Sequence, residues 1–129
     1  RLAGYVREYA SEYFSVTSIA CRFDFPDHVP GYTISAEVRR NTFLTLKEAM
    51  NNAVRHSRAT SVEIRCRVLD HAVEFGIQDN GRGFTSESHW EHGNGLRNMK
   101  KRMADINGTL QIAAHEGNGT LIRLIVPLS

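Results

Sequence analysis

The sequence predicts an α+β sandwich, a sheet with helices covering one of its faces. Three observations point there: one long stretch free of Gly and Pro that carries an apolar helical stripe, two pairs of alternating strands, and an order that keeps hairpins and helices apart. Leu2 to Phe14 fits a short amphipathic helix, and Ser18 to Phe25 reads as a strand ended by Pro26 and then Pro30 and Gly31. From about Ser35 to His56, Phe43, Leu46, Met50 and Val54 recur at helical spacing. Ser61 to Leu69 alternates, with Val62, Ile64, Cys66 and Val68 on one face, and Ala72 to Asp79 does likewise with Val73, Phe75 and Ile77. Asp70 and His71 between them make the pair a hairpin. Asn80 to Gly95 is polar and aperiodic, the composition of a long functional loop. A further helix runs from Leu96 to about Ile106 and stops at Asn107 and Gly108. Thr109 to Ala114 and Thr120 to Val126 are two last strands, joined by a turn holding Gly117, Asn118 and Gly119.

A chain of 129 residues, 41% of them apolar, can bury one sizeable core and is expected to form one domain over its whole length, 1–129. Sixteen basic against fourteen acidic side chains leave a net charge of +2, too small an excess for a nucleic-acid footprint. Cys21 and Cys66 have no CxxC spacing, so zinc is not expected and a reduced compartment is the simpler reading, which places the chain in the cytoplasm. No stretch approaches the roughly 20 apolar residues of a membrane helix, and no signal peptide is recognisable. The chain opens on Arg1 and passes directly into helix-like sequence, as an excised piece of a longer, conceivably membrane-anchored protein would.

On the long helix, Thr45, Glu48, Asn52 and the pair Arg55-His56 are spaced by three or four and line one polar stripe. A carboxylate, a carboxamide and a cation along two turns suit a hydrated Mg²⁺ and a phosphate; the same stripe would also serve as an ordinary solvated face. Asp79 falls in phase with Val73, Phe75 and Ile77, the side expected to face the core, where an ionised carboxylate needs a donor from protein or ligand. It could equally end the strand and cap the next turn. The following Asn80-Gly81-Arg82-Gly83-Phe84 allows close backbone approach at two glycines. Gly93-Asn94-Gly95 precedes a helix whose free N–H groups would suit phosphate, although a plain N-terminal turn would look the same.

In this order the segments resemble the four nucleotide-binding boxes of the GHKL superfamily of gyrase, heat-shock chaperone, histidine kinase and MutL ATPases. Glu48 to His56 resembles the N box, Asp79 to Gly83 the first glycine box, Gly93 to Gly95 the second and Gly117 to Thr120 the third. The run Gly93 to Arg102 is similar to histidine kinases of the nitrate-sensor and thermosensor type. The resemblance implies a two-layer α/β sandwich of the Bergerat type with a mixed sheet, binding ATP with Mg²⁺. By position it implies that Asn52 ligates Mg²⁺, that Glu48 orients a water or metal-bound group, that Arg55 contacts phosphate and that His56 lies beside the nucleotide. Asp79 would accept the adenine amine, Gly81 and Gly83 would hinge a lid, Gly93, Gly95 and Leu96 would border the phosphates, and Thr120 would support the adenine.

None of the six histidines lies on a helix face as a phosphoacceptor would: His28, His56, His71, His89, His92 and His115 all sit in other settings. The implied activity is therefore transfer of the ATP γ-phosphoryl group to a histidine on a separate dimerisation domain, expected upstream of Arg1, and then to a response regulator, in a protein that is a homodimer at full length. Two other readings of the same residues are a serine kinase that restrains a sigma factor and a domain that binds nucleotide without transfer.

Overall fold

The computed structural model describes residues 2–28, 34–56, 58–81, 95–115 and 119–128. Arg82, Gly83, Gly93, Gly117 and the expected lid from Phe84 to Asn94 lie outside them, as do the side chains of His56 and His115. The elements are α1 (Leu2–Ser15), β1 (Ala20–Asp24), α2 (Ala36–His56), β2 (Ser61–Leu69), β3 (Ala72–Asp79), α3 (Gly95–Asp105), β4 (Thr109–His115) and β5 (Gly119–Pro127). The first strand is shorter than its apolar pattern suggested, because Thr17 and Ser18 form a turn in which Thr17 Oγ1 accepts the Ile19 N–H at 3.1 Å.

The five strands form one mixed sheet in the order β1-β2-β3-β5-β4. β1 and β2 pair in parallel, a geometry that requires a crossover, and α2 supplies it. All other pairs are antiparallel. The β2–β3 turn is the two-residue Asp70-His71; His71 takes φ 60°, and its carbonyl accepts the Leu128 N–H at 2.7 Å, tying the end of β5 to the hairpin.

The three helices cover one face of this sheet and leave the other to a row of charged side chains. Val62, Ile64 and Cys66 of β2, Val73, Phe75 and Ile77 of β3 and Ile122, Leu124 and Val126 of β5 point into the core and meet Val6, Leu46, Met50, Met99 and Met103 from the helices. On the opposite face Arg67 pairs with Asp24 and Arg123 with Glu74, across neighbouring strands. The Cys66 thiol belongs to the core, where burial pushes its pKa up to about 11; both cysteines are free. No described helix is long and apolar enough to cross a membrane.

Local chemistry sets the helix ends. Ser35 Oγ accepts the Val38 N–H at 3.1 Å, capping α2. At the end of α3, Asn107 adopts φ 59° while the Gly108 N–H reaches back to the Met103 carbonyl at 2.7 Å and the Asn107 N–H to Ala104 at 3.1 Å. This is a Schellman stop with Asn, not Gly, in the left-handed position. The two helices are pinned where Asn41 Nδ2 donates to the Arg102 carbonyl at 3.0 Å.

β5 begins at the one described glycine with positive φ. Gly119 has φ 87°, and a Cβ there would stand 2.1 Å from the Asp79 carbonyl oxygen. Gly119→Ala should therefore combine left-handed strain with a backbone overlap, costing about 2–5 kcal/mol. Chemical denaturation checks this, and an unchanged midpoint would show that the β3–β5 approach is looser than described.

Candidate functional site

Strand alternation carries Asp79 to the helix-covered side at the end of β3, where it is 5% exposed. Its Oδ1 accepts the N–H of Gly81 at 2.9 Å and of Thr120 at 3.3 Å. The first is the local turn cap that the sequence left open; the second comes from β5 and is available because Gly119 lets that strand start against the end of β3. Both donors use the same oxygen. Burial raises the Asp79 pKa above the usual carboxylate range, and the backbone donors of Gly81 and Thr120 offset part of that rise.

Thr120 itself is 2% exposed, and its Oγ1 has no hydrogen-bond partner among the described residues. Beneath this corner Gln78 Nε2 donates to the carbonyls of Asp79, at 2.9 Å, and Thr120, at 3.4 Å. Asn80 is exposed and acts as a clamp: its Oδ1 accepts the N–H groups of Thr60 and Ser61, each at 2.9 Å, and its Nδ2 donates to Thr60 Oγ1. The loop leaving β3 is thus held to the start of β2.

The second group of residues sits on α2 and the start of α3. Asn52 is 9% exposed and its Nδ2 is a buried donor without a partner among the described residues. Glu48, one turn earlier, is half-buried against the first residue of α3: a Cβ on Gly95 would lie 2.5 Å from Glu48 Oε1. Glycine there lets the helix start approach the carboxylate without moving the Glu48 side chain. Thr45, expected on the polar stripe, is fully buried, and its Oγ1 donates to the Asn41 carbonyl at 2.8 Å, so it belongs to the inner face of the helix. Arg55 is exposed. Leu96 is buried against the core at the start of α3.

The expected residues thus form two clusters. Asp79, Gly81 and Thr120 gather where β3 meets β5, and Glu48, Asn52 and Gly95 gather where α2 meets α3. An unpaired buried polar group costs about 1–3 kcal/mol, so a ligand that supplied an acceptor to Asn52 and a partner to Thr120 would recover that loss. The described residues contain no group of three His, Cys, Asp or Glu that could hold a metal. A divalent cation at Glu48 and Asn52 would therefore draw on few protein ligands, which fits the habit of Mg²⁺ of keeping its waters and sharing substrate phosphates.

A mixed five-stranded sheet with helices on one face carries both clusters. Residues 37–129 match the family described as histidine kinase-, DNA gyrase B-, and HSP90-like ATPase, and the chain belongs to that family. The sensor histidine kinase LiaS of Bacillus subtilis is 33% identical over 95 residues, which are 74% of this chain and 26% of LiaS. The sensor protein VraS of Staphylococcus aureus is 31% identical over 101 residues, 78% of this chain and 29% of VraS. The chain therefore spans little more than a quarter of these relatives. The histidine kinase domain of a blue-light activated histidine kinase from Erythrobacter litoralis superposes with a TM-score of 0.82 at 21% identity, over 98% of this chain and 61% of that one. The Acinetobacter baumannii histidine kinase AdeS gives 0.75 at 19% identity, over 99% of this chain and 64% of its own, and both likenesses show the shared fold.

The Asp79 pKa shift carries a prediction with a definite sign. The folded pKa is raised, so the native state binds more protons than the unfolded one and stability falls as pH rises through that raised pKa. Asn keeps the acceptor and removes the charge. Asp79→Asn should melt above wild type at pH 7, by a margin that shrinks as the pH falls toward about 4, where the unfolded carboxylate also protonates. Parallel thermal melts across that range provide the check; a margin independent of pH would mean that the charge of Asp79 does not oppose folding.

Proposed function

We propose that this chain is the ATP-binding catalytic domain of a sensor histidine kinase. The reading rests on one observation above the rest: a carboxylate held inside the fold by two backbone donors on a single oxygen, at the position where the resemblance of the glycine box puts the acceptor of the adenine amine. An exocyclic amine is a donor of the kind such a carboxylate lacks. The unpartnered Thr120 hydroxyl stands beside it, on the residue that would support the base.

The phosphate end falls to α2 and α3. Asn52 and Glu48 would hold Mg²⁺, Arg55 would meet phosphate charge, and the close start of α3 at Gly95 would present backbone N–H groups to the phosphates. Mg²⁺ when bound supplies charge neutralisation at the phosphates. What the chain contributes is orientation: the acceptor imidazole attacks the γ-phosphorus, its bond to the bridging oxygen breaks, and ADP leaves. The acceptor would be a histidine on the protein's own dimerisation domain, the next partner a response regulator, and the working unit a homodimer. A cytoplasmic position for this domain goes with these partners.

Two outcomes test the reading. Calorimetric titration with ADP should give Asp79→Asn an affinity lower by about 1–3 kcal/mol, roughly 5- to 150-fold. Equal affinity would remove Asp79 from the adenine pocket. Asn52→Ala should instead lose most phosphoryl transfer to a supplied acceptor domain with a smaller loss of ADP affinity, because a group that organises the transferring phosphate acts mainly in the transition state. Transfer at the wild-type rate, followed with radiolabelled ATP, would take the metal role from Asn52.

A further inference from the structure

We infer that Tyr13 on α1 is a positioning residue for the phosphate end of the site, setting through Asn51 the orientation of the α2 turn that carries Glu48, Asn52 and Arg55. This deepens the proposed function and rests on it. The Tyr13 hydroxyl donates to Asn51 Oδ1, a side-chain bond between helices 38 residues apart in sequence. Asn51 directly precedes Asn52, whose own Nδ2 has no partner among the described residues to fix the amide. Core packing of Ala49, Met50 and Ala53 seats this turn, and the polar restraint next to Asn52 comes from α1.

Tyr13 is itself well anchored. It stacks on Tyr9 at a centroid distance of 6.1 Å and meets Phe14 edge-on at 5.1 Å, while Tyr9 packs edge-on against Phe43 of α2 at 6.0 Å. Those rings run along α2 from its first half to the turn at Asn51. α1 is fixed in turn on its other side, where the Arg7 guanidinium lies over Phe23 at 5.0 Å and Phe25 at 5.7 Å, and Val6, Ala10 and Phe14 are buried in the core. A hydroxyl on so firm a support can restrain the helix it touches. The phenol also feels the charges of the site: burial raises its pKa most, Tyr9 and Glu48 add to the rise, and Arg55 opposes it, so Tyr13 lies within electrostatic reach of both ionised residues proposed for the phosphate end.

A hydroxyl that merely stabilised the fold would affect both ends of the site alike. One that positions the α2 turn would affect the metal and phosphate end and spare the adenine end, which is built on β3 and β5. The experiment measures ADP affinity of the 129-residue chain by calorimetry, once in excess chelator and once in excess Mg²⁺, for wild type, Tyr13→Phe, Asn51→Ala and the double variant. Tyr13→Phe keeps the ring and its packing. The expected result is a loss of about tenfold in Mg²⁺ with a change within about twofold in chelator, the same pattern for Asn51→Ala, and no further loss in the double variant. Equal losses under both conditions, an unchanged affinity in Mg²⁺, or losses that add in the double variant would overturn the role of Tyr13. Wild type that binds ADP under neither condition would overturn the nucleotide reading as well, so the two failures are distinguishable.

Discussion

The rest of the site depends on one uncomfortable placement, a carboxylate facing the core at the end of β3. Alternation dictates it, since Val73, Phe75 and Ile77 fix the phase of the strand and Asp79 follows two residues later. Several neighbouring features make sense as its consequences. Gly81 turns its N–H back to Oδ1, and Thr120 adds a second donor from β5. That second donor requires β5 to start close to the β3 backbone, and so requires glycine at position 119. Gln78 then bridges the two carbonyls beneath, and Asn80 ties the departing loop to β2. Two donors on one oxygen still leave the group above its ordinary pKa. The corner is held firmly in a shape that opposes folding slightly, which is a common state for a binding site awaiting a ligand's donor.

The other half of the site is built by a different principle. Here no strand fixes the side chains; two helices do, and their separation is set by what stands between them. Gly95 brings α3 onto Glu48, Asn41 holds the Arg102 carbonyl, and Leu96, Met99 and Met103 seat α3 in the core. A methyl group at position 95 would have to displace the carboxylate. The helix seam thus places an acidic side chain, a buried amide and the first free N–H groups of α3 in one neighbourhood, without any regular hydrogen bond between the two helices' backbones.

Most of the fold was legible in the sequence because it is carried by patterns of short range. The alternating runs Ser61 to Leu69 and Ala72 to Asp79 and the gap-free run from Ser35 need no knowledge of their partners, and each became the expected element. The inward phase of Asp79 was legible for the same reason. Less legible was everything decided by an unlike neighbour. Thr45 looked like part of a polar stripe, yet it is buried, with its hydroxyl satisfied by the Asn41 carbonyl one turn earlier. Nothing local in Asn80 announces its clamp, since its partners Thr60 and Ser61 lie some twenty residues earlier. Nothing local in Tyr13 announces Asn51. Leu96, which the resemblance places beside the phosphates, has its side chain packed in the core.

The two halves also differ in what can move them. Asp79 and Thr120 lie on adjacent strands whose register is fixed by a ladder of paired residues, so shifting one against the other means breaking sheet hydrogen bonds. Asn52 and Glu48 lie on a helix whose turn is held by side-chain packing: Ala49, Met50 and Ala53 in the core, the Tyr13 hydroxyl on Asn51 and the contact of Glu48 with Gly95. Side-chain restraints of that kind are exchanged at far lower cost than a strand register. The division between a strand-built cluster and a helix-built cluster follows from where the sequence places its strands and its helices. Under the proposed function this places the greater need for side-chain restraint at the phosphate end, since phosphoryl transfer depends on positioning at the reacting atoms.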